Sequence, residues 1–221
     1  MPREINYQNE AYDQIKHLIL TSELIPGQRI SKNELVKKLG IGETPIREAI
    51  ILLRKDGLFQ IVPQSGTYVS KINLQEMFEA RFVRENIETM IFETVCDVIT
   101  EEQLQEVERQ LKIQRIYFEE GNREMYFKLD DEFHHFFYEI ADKNYVWQGL
   151  QAMNISFNRC RYLRLDIKEL KWQNILEQHE EMVALVRNRE KEKLGQLIRE
   201  HIGMIDTDVK IIRAQFPDYF E

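Results

Sequence analysis

Between Pro26 and Gly66 the chain is interrupted every few residues by groups that dictate backbone conformation, so only short elements can form there. Pro26-Gly27 predicts a turn, because proline fixes φ and glycine tolerates the left-handed region. Ser31-Lys32-Asn33-Glu34 has the residues of a capping box, in which hydroxyl and carboxylate satisfy free amides at a helix start. A short helix therefore begins there, turns Leu35, Val36 and Leu39 inward, and ends at Gly40. Thr44 is placed to cap the next helix, with Pro45 at its first position and Ile46, Ala49, Ile50 and Leu53 as the buried stripe. After Gly57 the pattern changes to strand: Phe59, Ile61 and Val62, a turn over Pro63-Gln64-Ser65-Gly66, then Thr67, Tyr68 and Val69. Upstream, Ala11, Ile15, Leu18 and Ile19 recur at helical spacing and predict a helix over residues 8–22.

Helices joined through Gly40-Ile41-Gly42 and followed by a hairpin fit the winged helix-turn-helix plan, in which the second helix of the motif enters the major groove of DNA. With 46, 49, 50 and 53 inward, Thr44, Arg47, Ile51 and Arg54 face outward. Arg47 lies in the first turn, where an arginine can bond guanine or clamp phosphate. The competing reading is a small protein-binding domain, because three helices and a hairpin serve that purpose too.

The net charge of −8 argues against nucleic acid until it is divided along the chain. Residues 1–72 carry 10 Lys and Arg against 8 Asp and Glu, whereas residues 73–221 carry 20 against 30. The acidity belongs to the second part, where helical periodicity predicts spans near 74–98, 101–120, 123–141, 144–166, 170–189 and 191–216. The expected fold is mainly α: a winged helix-turn-helix over residues 1–72 and an all-α six-helix bundle over 73–221. No run of about 18 apolar residues and no signal-peptide pattern occurs, which predicts a cytoplasmic protein without a membrane span. Only Cys96 and Cys160 are present, each within a helical pattern, so they are expected as buried small hydrophobes and not as a disulfide.

Asp130 and His134 stand four apart on one expected helix, which puts carboxylate and imidazole on one face. His179 and His201 lie on the last two expected helices, and antiparallel packing would let all four converge on one ion inside the bundle. Ordinary partly buried histidines are the alternative. His135 points about 100 degrees away from His134 and cannot share its face.

The run PGQRISKNELVKKLGIGETPIREAIILLRKDGLFQIVPQSGTYVS resembles the DNA-binding domain of the GntR family of bacterial regulators, over about residues 8–71. The resemblance implies an operator-binding homodimer that contacts double-stranded DNA through Ser31, Asn33, Thr44, Arg47, Ser65 and Gly66, with Gly66 at the wing tip in the minor groove. Gly42-Glu43 replaces the family's common Ser-Arg, and Asn33 stands where some members carry Arg, so altered site preference is expected. Residues 74–213, with Asp130-Asp131-Glu132-Phe133-His134, EQHEEM and REHIGM, resemble the FCD ligand-binding domain of the FadR branch, in its shorter, VanR-like group. This implies a divalent metal on Asp130, His134, His179 and His201, zinc first, with nickel, manganese or iron compatible with the same donors. It also implies a small organic acid as effector, with Arg81 facing the pocket and repression relieved by effector binding. An i+4 pair between Arg81 and Glu85 is the competing reading for that arginine. Two other functions compete with this one: a metal-free regulator answering an acyl ligand, and a metal-dependent enzyme.

Overall fold

The computed structural model describes residues 7–221 and divides into two compact units. The first comprises the described residues up to Leu74 together with Arg213–Glu221; the second is Gln75–Ile212. Among the described residues no helix is long and apolar enough to cross a membrane.

In the first unit, α1 (Tyr7–Leu20) buries Ala11, Ile15, Leu18 and Ile19. It packs against α3 (Glu43–Lys55), whose inward stripe is Ile46, Ala49 and Leu53. Complete burial of an Ile or Leu side chain contributes roughly 2 kcal/mol, and this seam holds the three-helix core. Between them α2 (Lys32–Leu39) ends at Gly40, whose φ of 68° and N–H bond to the Val36 carbonyl form a left-handed cap. At its start, Glu34 Oε2 accepts from the Ser31 N–H at 3.3 Å. Helix α3 begins one residue before the expected cap: Gly42 is the N-cap, so Thr44 is helical and Pro45 falls at the third position. Proline is still tolerated there because first-turn amides have no partner within the helix.

The wing is formed by β2 (Phe59–Val62) and β3 (Gly66–Val69), antiparallel with Val62 opposite Gly66. A two-residue strand, β1 (Arg29–Ile30), pairs with the other edge of β3 to give the order β1-β3-β2. The sequence reading missed β1, since two residues carry no periodicity. It also assigned residues 213–221 to the bundle, whereas they cluster with the first unit. Ile72 and Phe220 form a parallel bridge, Ile72 N–H donates to the Tyr219 carbonyl at 2.8 Å, and Phe220 is buried.

The second unit is all helix. Elements α4 (Leu74–Val98), α5 (Glu101–Glu119), α6 (Arg123–Ile140) and α9 (Gln173–Arg187) fill four of the six expected spans, though α9 starts three residues late. The other two are each broken once. One becomes α7 (Asn144–Met153) and α8 (Ile155–Arg164), and the other α10 (Lys191–Gly203) and α11 (Ile205–Gln215). Asn154, at φ −79° and ψ 9°, interrupts the first, and Met204 the second. Neither break has a proline to announce it. A reciprocal cap starts α5, where Thr100 Oγ1 accepts from Gln103 N–H at 3.2 Å and Gln103 Oε1 accepts from Thr100 N–H at 3.0 Å. Helix α5 packs on α6 and α9, and α9 on α10, which lines up the faces that carry the candidate site.

Candidate metal and effector site

Asn122 caps α6 by accepting from Met125 N–H at 3.1 Å, and the helix then runs unbroken through Asp130 and His134, holding them one turn apart. His179 comes from α9 and His201 from α10. All four side chains are buried. One ring nitrogen from each of the three histidines lies within 4.8 Å of the others, a spacing that a shared ion can bridge. The rings are fixed by aromatic packing, with Phe133 stacked on His179 at 4.2 Å between centroids and edge-on to His134.

The outer edges of two of the imidazoles have hydrogen-bond partners. His179 Nδ1 meets Gln114 Oε1 at 3.2 Å, and His201 Nδ1 meets Gln178 Oε1 at 2.9 Å. These contacts favour the tautomer that leaves Nε2 free to ligate. The inner edges do not: His179 Nε2 and His134 Nε2 are buried without a hydrogen-bond partner. Buried polar atoms left this way cost on the order of 1–3 kcal/mol each, so the donor set fits a cation.

Asp130 stands beside this trio, and Arg161 claims part of it. Its Oδ1 is 3.7 Å from His179 Nε2, while its Oδ2 is ion-paired with Arg161, which also bonds Asp131 at 2.8 Å. Burial pushes the Asp130 carboxyl up, but the neighbouring Arg161 guanidinium and the His179 and His134 rings prevail and hold it below the usual carboxylate range. Burial depresses all three histidines, His179 to about 4 and His134 and His201 well below the ordinary imidazole value. The trio is therefore neutral at physiological pH, the form that binds metal.

Next to the trio lies a cavity of about 40 Å³, lined among others by Arg84, Asp130, Arg161, Arg164, His201 and Asp208. That exceeds the 10–15 Å³ or so needed for one water. Arg161 and Arg164 are neutralised by internal carboxylates, Arg164 by Asp208 at 2.5 Å. Arg84 is different. Its Nε donates to Glu88 Oε1 at 2.7 Å, yet its Nη2 is buried with no hydrogen-bond partner.

Arg81, the arginine the sequence reading placed in the pocket, does not line this cavity. It is ion-paired with Glu85 one turn on, and with Asp206 at 3.1 Å. The cavity-lining arginine of α4 is Arg84, three residues later in the same EARFVRENIE stretch; nothing in the local pattern separates the two until the helix's buried face is known.

In the first unit the structure leaves Ser31, Asn33, Thr44 and Arg47 exposed, and Ser65 and Gly66 half-buried at the wing turn. Ile51 and Arg54 are exposed along the same helix as Arg47. Glu43 opens α3 and pairs with Lys32, whose hydrogen bond and charge hold the Glu43 carboxyl below its usual range. Arg29, which the sequence reading did not select, lies against the wing tip: its Nε is 3.0 Å from where a Cβ on Gly66 would stand. The two-residue strand that carries Arg29 there was the missing signal.

Comparison with known proteins agrees with this division. Residues 7–69 match the description "Bacterial regulatory proteins, gntR family", and residues 76–204 match the FCD domain. The chain is 29% identical over 211 residues to the HTH-type transcriptional repressor RspR of Escherichia coli (strain K12), covering 96% of this chain and 92% of that protein. It is 27% identical over 198 residues to the HTH-type transcriptional regulator YdhC of Bacillus subtilis (strain 168), covering 89% and 88%. Among solved structures, E. coli McbR/YncC has a similar fold, with a TM-score of 0.79 at 19% identity over 96% of this chain and 100% of that one.

Proposed function

The chain belongs to the gntR family of bacterial regulatory proteins and carries an FCD domain, and on that footing we propose that it is a repressor whose hold on its operator is released by a small organic acid bound beside a metal ion. That it is a DNA-binding transcriptional regulator follows from the family, and its relatives are regulators, not enzymes. The metal, the acid and the direction of control are our reading. Among the relatives, RspR bears the name of a repressor.

The observation that carries the reading is Arg84, which has a buried cationic donor, Nη2, without a hydrogen-bond partner and which lines a cavity together with His201 and Asp130. A carboxylate satisfies such a donor with a charge-assisted bond. His134, His179 and His201, with Asp130 when Arg161 yields it, would hold a divalent ion, zinc first and nickel, manganese or iron as other candidates. When bound, that ion supplies positive charge and open coordination positions for an anionic ligand. The chain's own part is to orient the imidazoles through Gln114 and Gln178, to keep them neutral by burial, and to present Arg84.

On the DNA side, Thr44 in the first turn of α3 and Arg47 at the start of its second, deeper than a Thr44 cap would have put it, read or clamp the major groove, Ser31 and Asn33 flank them, and Ser65 and Gly66 bring the wing to the backbone. A homodimer spaces two such helices about one DNA turn apart, so the operator is a pseudo-palindrome. The acid acts by preferring one of two arrangements, and a few kcal/mol of preference suffices.

The test is elemental analysis of the purified protein, followed by operator binding with and without a panel of small carboxylic acids, before and after chelation. We expect about one ion per chain, and release of DNA by at least one acid only when the ion is present. A metal-free protein that still answers an acid would defeat this proposal.

A further inference from the structure

We infer that Glu88 is the positioning residue for His134, accepting a hydrogen bond from Nδ1 so that Nε2 is presented to the ion; the inference rests on the metal-site reading above. Glu88 lies on α4, a helix that carries none of the ligands, and is wholly buried. Its Oε2 is 2.9 Å from His134 Nδ1. Neither atom has another hydrogen-bond partner, so each is the buried partner the other lacks at hydrogen-bond distance.

The other face of the carboxylate is already committed. Arg84 Nε donates to Oε1 at 2.7 Å, which fixes the group and leaves Oε2 directed at the imidazole. The three histidines thus meet different outer partners: amide oxygens from Gln114 and Gln178 for two, a carboxylate for the third. A carboxylate locks the tautomer more firmly than an amide and makes the imidazole a more basic ligand. His134 becomes the strongest nitrogen donor of the trio, and Arg84 is joined through Glu88 to the ion site as well as to the cavity.

A carboxylate kept only to neutralise Arg84 makes a different prediction. Its replacement would lower stability and leave metal affinity alone. The discriminating experiment titrates the full-length protein and Glu88→Gln with Zn²⁺ against a chromophoric chelator, with ¹⁵N-histidine spectra recording the His134 tautomer. We expect Glu88→Gln to bind Zn²⁺ about 10–100-fold more weakly, and the unsubstituted protein to show protonated Nδ1 at His134. Affinity within twofold of the unsubstituted protein would overturn the role of Glu88 and leave the metal site standing. An unsubstituted protein that takes no Zn²⁺ would remove both. Should Glu88→Gln fail to fold because Arg84 is left as a buried unpaired charge, the pair Arg84→Met with Glu88→Gln removes that charge and is judged by the same titration.

Discussion

The two units place their polar residues under opposite physical terms. In the first, Thr44, Arg47, Ser31 and Asn33 stand in solvent, where a charged or hydroxyl group keeps its hydration and local helix punctuation decides where its backbone sits. In the second, Arg84, Glu88, Asp130, His134, His179 and His201 are all buried, and each must be compensated by a buried partner, for Arg84 by Glu88 of its own helix and for the histidines and Asp130 by residues of other helices. Recognition of a long polymer can be mounted on a surface, whereas recognition of a small ion and an acid needs enclosure. The first design tolerates substitution residue by residue; the second behaves as a network.

That contrast breaks if a change in the bundle's interior fails to spread, or if a change on the recognition helix does. The largest effect is expected at His179, wholly buried among Phe133, Gln114 and the other two imidazoles. His179→Ala should lower metal affinity by more than the hundredfold or so typical of losing an outer partner, and abolish the acid response. Operator binding in the absence of acid should survive. Competition titration and gel-shift assays measure the two sides, and loss of both together would erase the division between units.

Arg47→Ala should cost about 1–3 kcal/mol of specific operator affinity and reduce the salt dependence of binding, with metal content unchanged. Fluorescence anisotropy over a salt series checks it. The smallest effect is expected at Arg81, a partly exposed ion-paired residue outside the cavity. Arg81→Ala should shift stability by at most about 1 kcal/mol and leave the concentration of acid needed for DNA release unchanged. A marked change in that concentration would return Arg81 to the ligand site and blur the distinction drawn between it and Arg84.

What the sequence revealed follows the same divide. Gly40, Pro45 and the turn before Gly66 act within a few residues, so the helices and wing of the first unit could be read locally, apart from β1, too short to show a period. The histidines were found by spacing and resemblance because Asp130 and His134 share one helix face. Their partners were not. Gln114, Gln178 and Glu88 are ordinary residues of three different helices, and only packing makes them neighbours of an imidazole. Arg81 and Arg84 differ by less than one turn, and burial alone tells them apart. The breaks at Asn154 and Met204 lie inside uninterrupted apolar periodicity and give no local sign.

The bridge between Ile72 and Phe220 means that the polypeptide both leaves and re-enters the first unit, so the helical unit is spliced into it and not appended. A unit inserted in this way is tied to its host by two covalent leads, one at each border, where an appended one has a single lead. Removing only the last few residues would therefore sever one of those leads while leaving the buried histidines of the second unit and the exposed residues of α3 in the chain.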